Sequence, residues 1–271
     1  MATSAGSYTH GHHASVLRSH KWRTAQNSAA YLLPHLKPGM SLLDVGCGPG
    51  AITADLARRL APGRVTAIDA AEDVLAEART AASSVPNVEF AAADVRALDF
   101  DDNAFDVVHA HQVLQHLDDP VRALREMRRV CRPGGIVAAR DSDYAAMYWH
   151  PDSPELEEWR RLYRRIAVDN GGQPDAGRRL LSWARAAGFS DVTTTATTWC
   201  FATPPDRSWW SQMWAERIRR SGIAEQALRD SHASADDLER LAVGWRRWGA
   251  APDGCFVVPH TEIVCRAPDS D

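Results

Sequence analysis

Several things are scarce in this chain of 271 residues. No apolar run approaches the ~18 residues that a membrane-spanning helix needs, so no place in a bilayer is expected. The first residues show no basic start followed by an apolar stretch, so no secretion signal is expected either. Positive charge is not in excess: 31 Lys and Arg stand against 35 Asp and Glu, a net charge of -4. A nucleic-acid partner, which calls for a basic face, is therefore not expected, and pairs such as Arg128–Arg129 and Arg246–Arg247 read as solvated helix faces. Cysteine is sparse, with five residues, Cys47, Cys131, Cys200, Cys255 and Cys265. They form no CxxC pair and no metal-ligand spacing, and their odd number fits a reducing cytoplasm. His10, His12 and His13 cluster, but no second cluster offers further ligands, so no metal is expected. There is no internal repeat and no long low-complexity segment.

What is present is a hydrophobic content of 45%, enough for a real core, and an ordinary 24% of charged residues. The first half alternates strand and helix patterns. Ser41–Val45, Arg64–Ile68, Val88–Ala92, Phe105–Ala110 and Ile136–Ala139 read as strands, while Ala51–Leu60 and Glu72–Ala82 have helical spacing. Asp119 caps a further helix with Pro120 in its first turn, and Val121, Leu124, Met127 and Val130 recur on one face. Pro133-Gly134-Gly135 reads as a turn. Such alternation predicts a mostly parallel α/β sheet with right-handed crossovers. The second half differs in character, for nine of the ten tryptophans lie from Trp149 onward. Helices are expected after the Asp152–Glu155 start and over Gln173–Ala187, Ser208–Arg220 and Ser234–Trp248. Val192–Cys200 and Phe256–Cys265 read as strands, with Pro259 at an edge or bulge. One continuous domain of about seven strands follows. Residues 1–38 are expected to form an N-terminal helical cap, 39–145 the ligand-binding core, and 146–271 the remaining strands with helical lid insertions.

The informative segment is Leu42-Leu43-Asp44-Val45-Gly46-Cys47-Gly48-Pro49-Gly50, a strand running into a glycine-rich turn and then a helix. In open α/β sheets, ligands bind at the carboxyl ends of strands where the order reverses. Glycine there allows close backbone approach and dihedrals denied to other residues. Asp69 ends the second strand about twenty residues further on, where a carboxylate can accept both hydroxyls of a ribose. A nucleoside-containing ligand is implied. Gly46, Gly48 and Ala51 also satisfy a dinucleotide fingerprint, but a pyrophosphate is anionic, and Asp44 two residues before the first glycine would repel it. Asp94 after the third strand adds an acceptor for an adenine amino group. Acids at three successive strand ends suit a cationic nucleoside better than NAD.

Together these motifs resemble the class I S-adenosylmethionine-dependent methyltransferases, in the small-molecule branch that includes the ubiquinone and menaquinone biosynthesis enzymes. Asp44 to Gly50 is similar to the first motif of that family, and Asp69 to its ribose-binding acid. Ala93-Asp94-Val95 is similar to the adenine-binding segment. Phe105-Asp106-Val107-Val108 through His111-Gln112-Val113-Leu114-Gln115-His116-Leu117 is similar to the fourth strand and its loop. Arg129-Val130-Cys131-Arg132-Pro133-Gly134-Gly135 is similar to the turn before the fifth strand. The resemblance implies a Rossmann-like seven-stranded sheet with helices on both faces, S-adenosyl-L-methionine as cofactor and methyl transfer to a small-molecule acceptor. It implies Gly46, Gly48 and Gly50 against the methionine and ribose, Asp44 near the methionine amine, Asp69 with Ala70 at the ribose, and Asp94 with the Val95 amide at adenine. His111 and Gln112 would lie beside the methionine moiety, facing the methyl group. An N-terminal helix commonly covers the cofactor in related enzymes, which implies Tyr8, His13, Trp22 and Arg23 as its cover, with Arg23 opposite the methionine carboxylate.

Beyond the shared motifs the candidates keep two readings. His111 is either a general base or a wall of the pocket, and His116 reads as structural. Asp141 and Asp143, after the fifth strand, would orient or deprotonate an acceptor, or cap the next segment, and Tyr144 follows them. Trp149, Trp209, Trp210, Met213 and Trp214 would line a pocket for an apolar or aromatic acceptor, or pack a core, and Tyr8, His13 and Tyr144 are further candidates for binding that acceptor. A cofactor-binding protein of the same fold that transfers no methyl group is an open alternative, and an NAD-dependent oxidoreductase is disfavoured by Asp44. A homodimer is left open.

Overall fold

A computed structural model describes residues 14–268 of the chain. Among these residues there are eight strands: β1 (Leu42–Val45), β2 (Val65–Asp69), β3 (Val88–Ala92), β4 (Phe105–His111), β5 (Cys131–Ser142), β6 (Tyr148–His150), the threonine-rich β7 (Val192–Phe201) and β8 (Cys255–Arg266). They make one sheet in the order β3-β2-β1-β4-β5-β8, with β7 along the far side of β8 and the short β6 beside its opening residues. The first five strands are parallel, and β8 is antiparallel to β5, β6 and β7. The order reverses between β1 and β4, which run side by side with Asp44 opposite His109. β1 is buried along its whole length, as a central parallel strand must be when helices cover both faces.

Two local expectations are revised. Pro259 does not sit at an edge. It lies inside β8 with β7 on one flank, at the point where the other flank passes from β5, paired up to His260, to β6, paired from Val257. The Pro133–Gly135 turn is an irregularity within β5. The register against β4 jumps from Phe105↔Cys131 to Val107↔Ile136, so the intervening residues bulge, with Gly134 at φ 67.

Helices α1 (Ala14–Lys21) and α2 (Ala25–Ser28) precede the sheet, and α3 (Ala51–Leu60), α4 (Glu72–Ala81) and α5 (Pro120–Val130) form crossovers. Asp119 does cap α5, accepting from the Arg122 amide at 2.9 Å. Beyond β6 come α6 (Pro154–Asp169), α7 (Leu180–Ala186), α8 (Pro204–Arg220), α9 (Gly222–Arg229) and α10 (Ala235–Ala250). The helix expected over Gln173–Ala187 is confined to a 3-10 turn at Gly177–Arg179 and α7. α9 went unforeseen because only Ser221 separates it from α8.

The tryptophans explain how the second half is held. Trp159 of α6 is fully buried, its ring 4.6 Å from that of Trp214 on α8 and 4.8 Å from that of Trp245 on α10, both edge-on. Edge-to-face indoles add specific geometry to a large buried area, so three helices are fixed to one another and, through Phe256, to β8. Trp214 of this layer lines the same cavity as His111 at the end of β4 and Ser142 at the end of β5.

Candidate active site

The strand ends at the reversal point open into one cavity of about 430 Å³, within the range of small-molecule sites. At its floor the buried Asp44 uses both carboxylate oxygens on neighbours: Oδ2 accepts from Thr53 Oγ1 of α3 at 2.5 Å, and Oδ1 lies 2.8 Å from His109 Nδ1 of β4. A carboxylate out of water needs such partners. The glycine turn follows. Gly46 has φ 65, and a Cβ there would collide with Val113. Gly48 has φ 54 with nothing nearer to its missing side chain than His20 Nδ1 at 3.8 Å, so its backbone faces open space. Asp69 Oδ2 accepts from the Gly48 amide at 3.0 Å and Oδ1 from the Ala71 amide at 3.1 Å. A carboxylate has about four acceptor positions, so both oxygens keep capacity for a pair of hydroxyls. Ala70, Asp94 and Val95 complete this side. The Asp94 carboxylate is engaged by Arg96, with Nη2 at 2.8 Å and the Arg96 amide at 2.8 Å, and these bonds hold its pKa below the usual carboxylate range.

At the other side of the cavity, Gln112 adopts φ 55, unusual for a residue with a side chain and common at functional sites. Its Oε1 accepts from Arg23 Nη2 at 2.7 Å, and its Nε2 donates to His260 Nε2 at 2.8 Å, while His260 Nδ1 donates to the Val258 carbonyl at 3.0 Å. His260 is thus a neutral imidazole of fixed tautomer, consistent with burial pushing its pKa well below the ordinary histidine value. His111 lines the cavity with neither ring nitrogen hydrogen-bonded among the described residues. Burial, then the Arg23 and Arg140 charges, push its pKa well down. Tyr144, Met147, Trp22, Trp199, Trp210 and Trp214 wall this end, with Trp210 stacked on Phe201 at 4.1 Å.

The cavity thus brings together Asp44, Gly46, Gly48, Asp69, Ala70, Asp94, Val95, His111, Gln112, Arg23, Tyr144, Trp210 and Trp214. Gly50 lies behind the wall against Ala78 of α4. Asp143 is outside the lining: its carboxylate takes Arg178 Nε at 2.5 Å and Nη2 at 2.8 Å and accepts from the Ala146 amide at 3.1 Å, the capping alternative. Asp141 is also outside it, buried, with Oδ1 accepting from the Gln115 amide at 3.1 Å, and desolvation pushes its pKa up to about 7. Trp149 stacks on Phe256 at 5.5 Å, and the buried Met213 packs in the tryptophan cluster. Tyr8 and His13 lie outside the described residues. Trp199, Met147, His260 and Arg217 were not foreseen. The first three sit in or beside strands whose pairing is set by distant segments, and Arg217 is one of several arginines on α8 that sequence alone does not single out.

Known proteins supply the family. Residues 43–139 match the family model described as a methyltransferase domain. The chain is 34% identical over 268 residues to an uncharacterized methyltransferase of Schizosaccharomyces pombe, covering 95% of each. It is 34% identical over 157 residues to the demethylmenaquinone methyltransferase of Staphylococcus aureus, covering 57% of this chain and 63% of that one. Among solved structures, phosphoethanolamine N-methyltransferase 2 of Haemonchus contortus, in complex with phosphomonomethylethanolamine and S-adenosylhomocysteine, superposes with a TM-score of 0.57 at 20% identity, covering 90% of this chain and 53% of that one. The [4+2]-cyclase SpnF superposes at 0.55 with 23% identity, over 92% of this chain and 85% of that one. At such identities these structures establish the fold, which is Rossmann-like. The chain belongs to the S-adenosylmethionine-dependent methyltransferases, and S-adenosyl-L-methionine is its cofactor. The residues present fit that cofactor: open space above Gly48, spare acceptor capacity on Asp69 and a buried carboxylate beneath.

Asp69→Ala is expected to weaken S-adenosylmethionine binding by roughly ten- to a hundredfold, the loss of hydrogen bonds to a charged acceptor; unchanged affinity by calorimetry would remove Asp69 from the site. Asp141→Asn keeps an acceptor for the Gln115 amide and removes a charge whose folded pKa, about 7, lies above the ordinary 3.8. Folding therefore penalises the ionised form, fully above pH 7 and not at all below about pH 4. The variant should melt several degrees higher than the parent at pH 8, with the gap closing toward pH 4, and a gap independent of pH would contradict this.

Proposed function

We propose that this methyltransferase acts on an apolar or aromatic small molecule by in-line displacement. The carrying observation is that one cavity is shared by the strand-end acids and by a wall of Trp22, Tyr144, Met147, Trp199, Trp210 and Trp214. The bound cofactor supplies a methyl group already activated on a sulfonium sulfur. What remains for the protein is to align the attacking atom, a positioning task that supplies several kcal/mol of the barrier.

In this reading the chain's own groups divide the work. Asp69 holds the ribose, Asp94 and the Val95 amide the adenine, and Asp44 the environment of the methionine amine. Arg23, set by the Gln112–His260 hydrogen bonds, meets the methionine carboxylate. Within the described residues, 14–38 cap the cofactor, 39–145 hold it, and the helical insertions from 146 onward close over the acceptor. The stacked indoles are held by neighbours, so they present a preformed slot and keep water out. His111, an unprotonated imidazole, offers a hydrogen bond to the acceptor. With its pKa pushed down by burial it is a weak base, so the acceptor must bring its own acidity.

The test measures S-adenosylhomocysteine formation with matched aromatic and polar aliphatic acceptors. Turnover is expected with the aromatic set. Trp210→Ala should raise the acceptor KM at least tenfold, the cost of an aromatic truncated in a filled pocket, and leave cofactor affinity unchanged. Tight S-adenosylhomocysteine binding with no turnover across the panel would favour the reading as a binding protein.

A further inference from the structure

We infer that the acceptor is an aromatic compound carrying an anionic group, a carboxylate or an acidic phenol, and that Arg217 of α8 is the residue that receives this group. The inference rests on the proposed aromatic acceptor and deepens it. Among the described residues, every carboxylate lining the cavity belongs to the strand ends and loops of the cofactor side: Asp44, Asp69, Asp94 and Asp118. The aromatic side contributes none. Its charged residues are Arg23, which Gln112 holds and which the reading above gives to the methionine carboxylate, and Arg217, which is only 3% exposed yet lines the cavity. The carboxylates are thus confined to the cofactor side, where Arg96 pairs with Asp94 and Asp118, and the aromatic side carries cations alone.

Local geometry says what this cation can hold. Arg217 Nη2 donates to Ser19 Oγ of α1 at 2.8 Å, and its guanidinium carbon lies 4.6 Å from the Trp214 ring centroid. The hydroxyl and the indole face are two of the contacts that hold this side chain in place. A planar guanidinium with parallel N–H donors matches a carboxylate in two-point contact, and stacking on an indole is a geometry that Lys does not reproduce. A protonated amine would meet a buried cation here with no carboxylate on its side of the cavity, so amine acceptors are selected against. The weakly basic His111 fits the same picture, because an acceptor whose nucleophile is already anionic needs no strong base.

The test is calorimetry on the full chain saturated with S-adenosylhomocysteine, using three probes of one shape: 1-naphthoate, 1-naphthamide and 1-naphthylmethylamine. Naphthoate should bind roughly ten- to a hundredfold tighter than naphthamide, the range for hydrogen bonds to a charged group, and the amine should bind weakest. Arg217→Gln should abolish the naphthoate advantage and leave naphthamide and S-adenosylhomocysteine affinities unchanged. Arg217→Lys, which keeps the charge and loses the fork, should retain part of it, and this variant serves if Arg217→Gln fails to fold. Equal binding of naphthoate and naphthamide by the parent protein, or equal losses for both in the variants, would overturn the assignment while leaving the aromatic slot intact. Binding of S-adenosylhomocysteine with none of the three naphthalenes would overturn the aromatic acceptor itself, and this inference with it.

Discussion

A carboxylate buried at the tip of the central strand governs the rest of this molecule. Asp44 is 3% exposed, and a charge so far out of water persists only with partners on every open side. Thr53 supplies one from the first turn of α3 and His109 the other from β4, so the two elements that flank the switch point are tied to the same group. The strand–turn–helix path between them must then be tight, which is why Gly46 takes a left-handed conformation under Val113. The result is a negative floor beneath backbone that a ligand can approach closely. It favours a cationic adenosyl compound over a diphosphate on Coulombic grounds alone.

The second half of the chain solves a different problem. A parallel sheet ends in a crevice open to water, and methyl transfer gains from a dry, shaped cover. Three helices joined through Trp159, Trp214 and Trp245 stand on this part of the sheet, and Trp214 also lines the cavity. Within the sheet, β5 and β8 bring Arg140 and Glu262 together at 3.0 Å, a buried ion pair helped by Thr195 at 2.8 Å from Glu262. Burial first, then the Arg23 charge and the Arg140 charge of this pair, push down the pKa of His111, which stands directly opposite Arg140 in the register.

The cofactor half was legible in the sequence because its signals are local. Apolar runs broken at Gly46 and Gly48, acids at Asp44, Asp69 and Asp94, and the Asp119–Pro120 helix start each act within a few residues of where they are read. The acceptor half was not. His260 reaches Gln112 across 148 residues of chain because β8 inserts antiparallel between β5 and β7, and nothing near His260 announces that neighbour. Trp199 enters the cavity for the same reason and Arg217 through the packing of α8, while Trp149 and Met213, equally promising on composition, pack into the aromatic cluster. Asp143 illustrates the ambiguity of a lone acid: in sequence it was a candidate for chemistry, and in the structure Arg178 and a helix start take its oxygens.

The account's central claim is that neighbouring strand-tip acids and a glycine bend hold a positively charged adenosyl ligand. A crystal structure of the chain with S-adenosylmethionine tests it most directly. The account predicts both ribose hydroxyls on the Asp69 carboxylate, the sulfonium on the side of Asp44 and the methyl group directed toward His111 and the tryptophan wall. A ribose held away from Asp69, or a methyl group directed away from that wall, would contradict it.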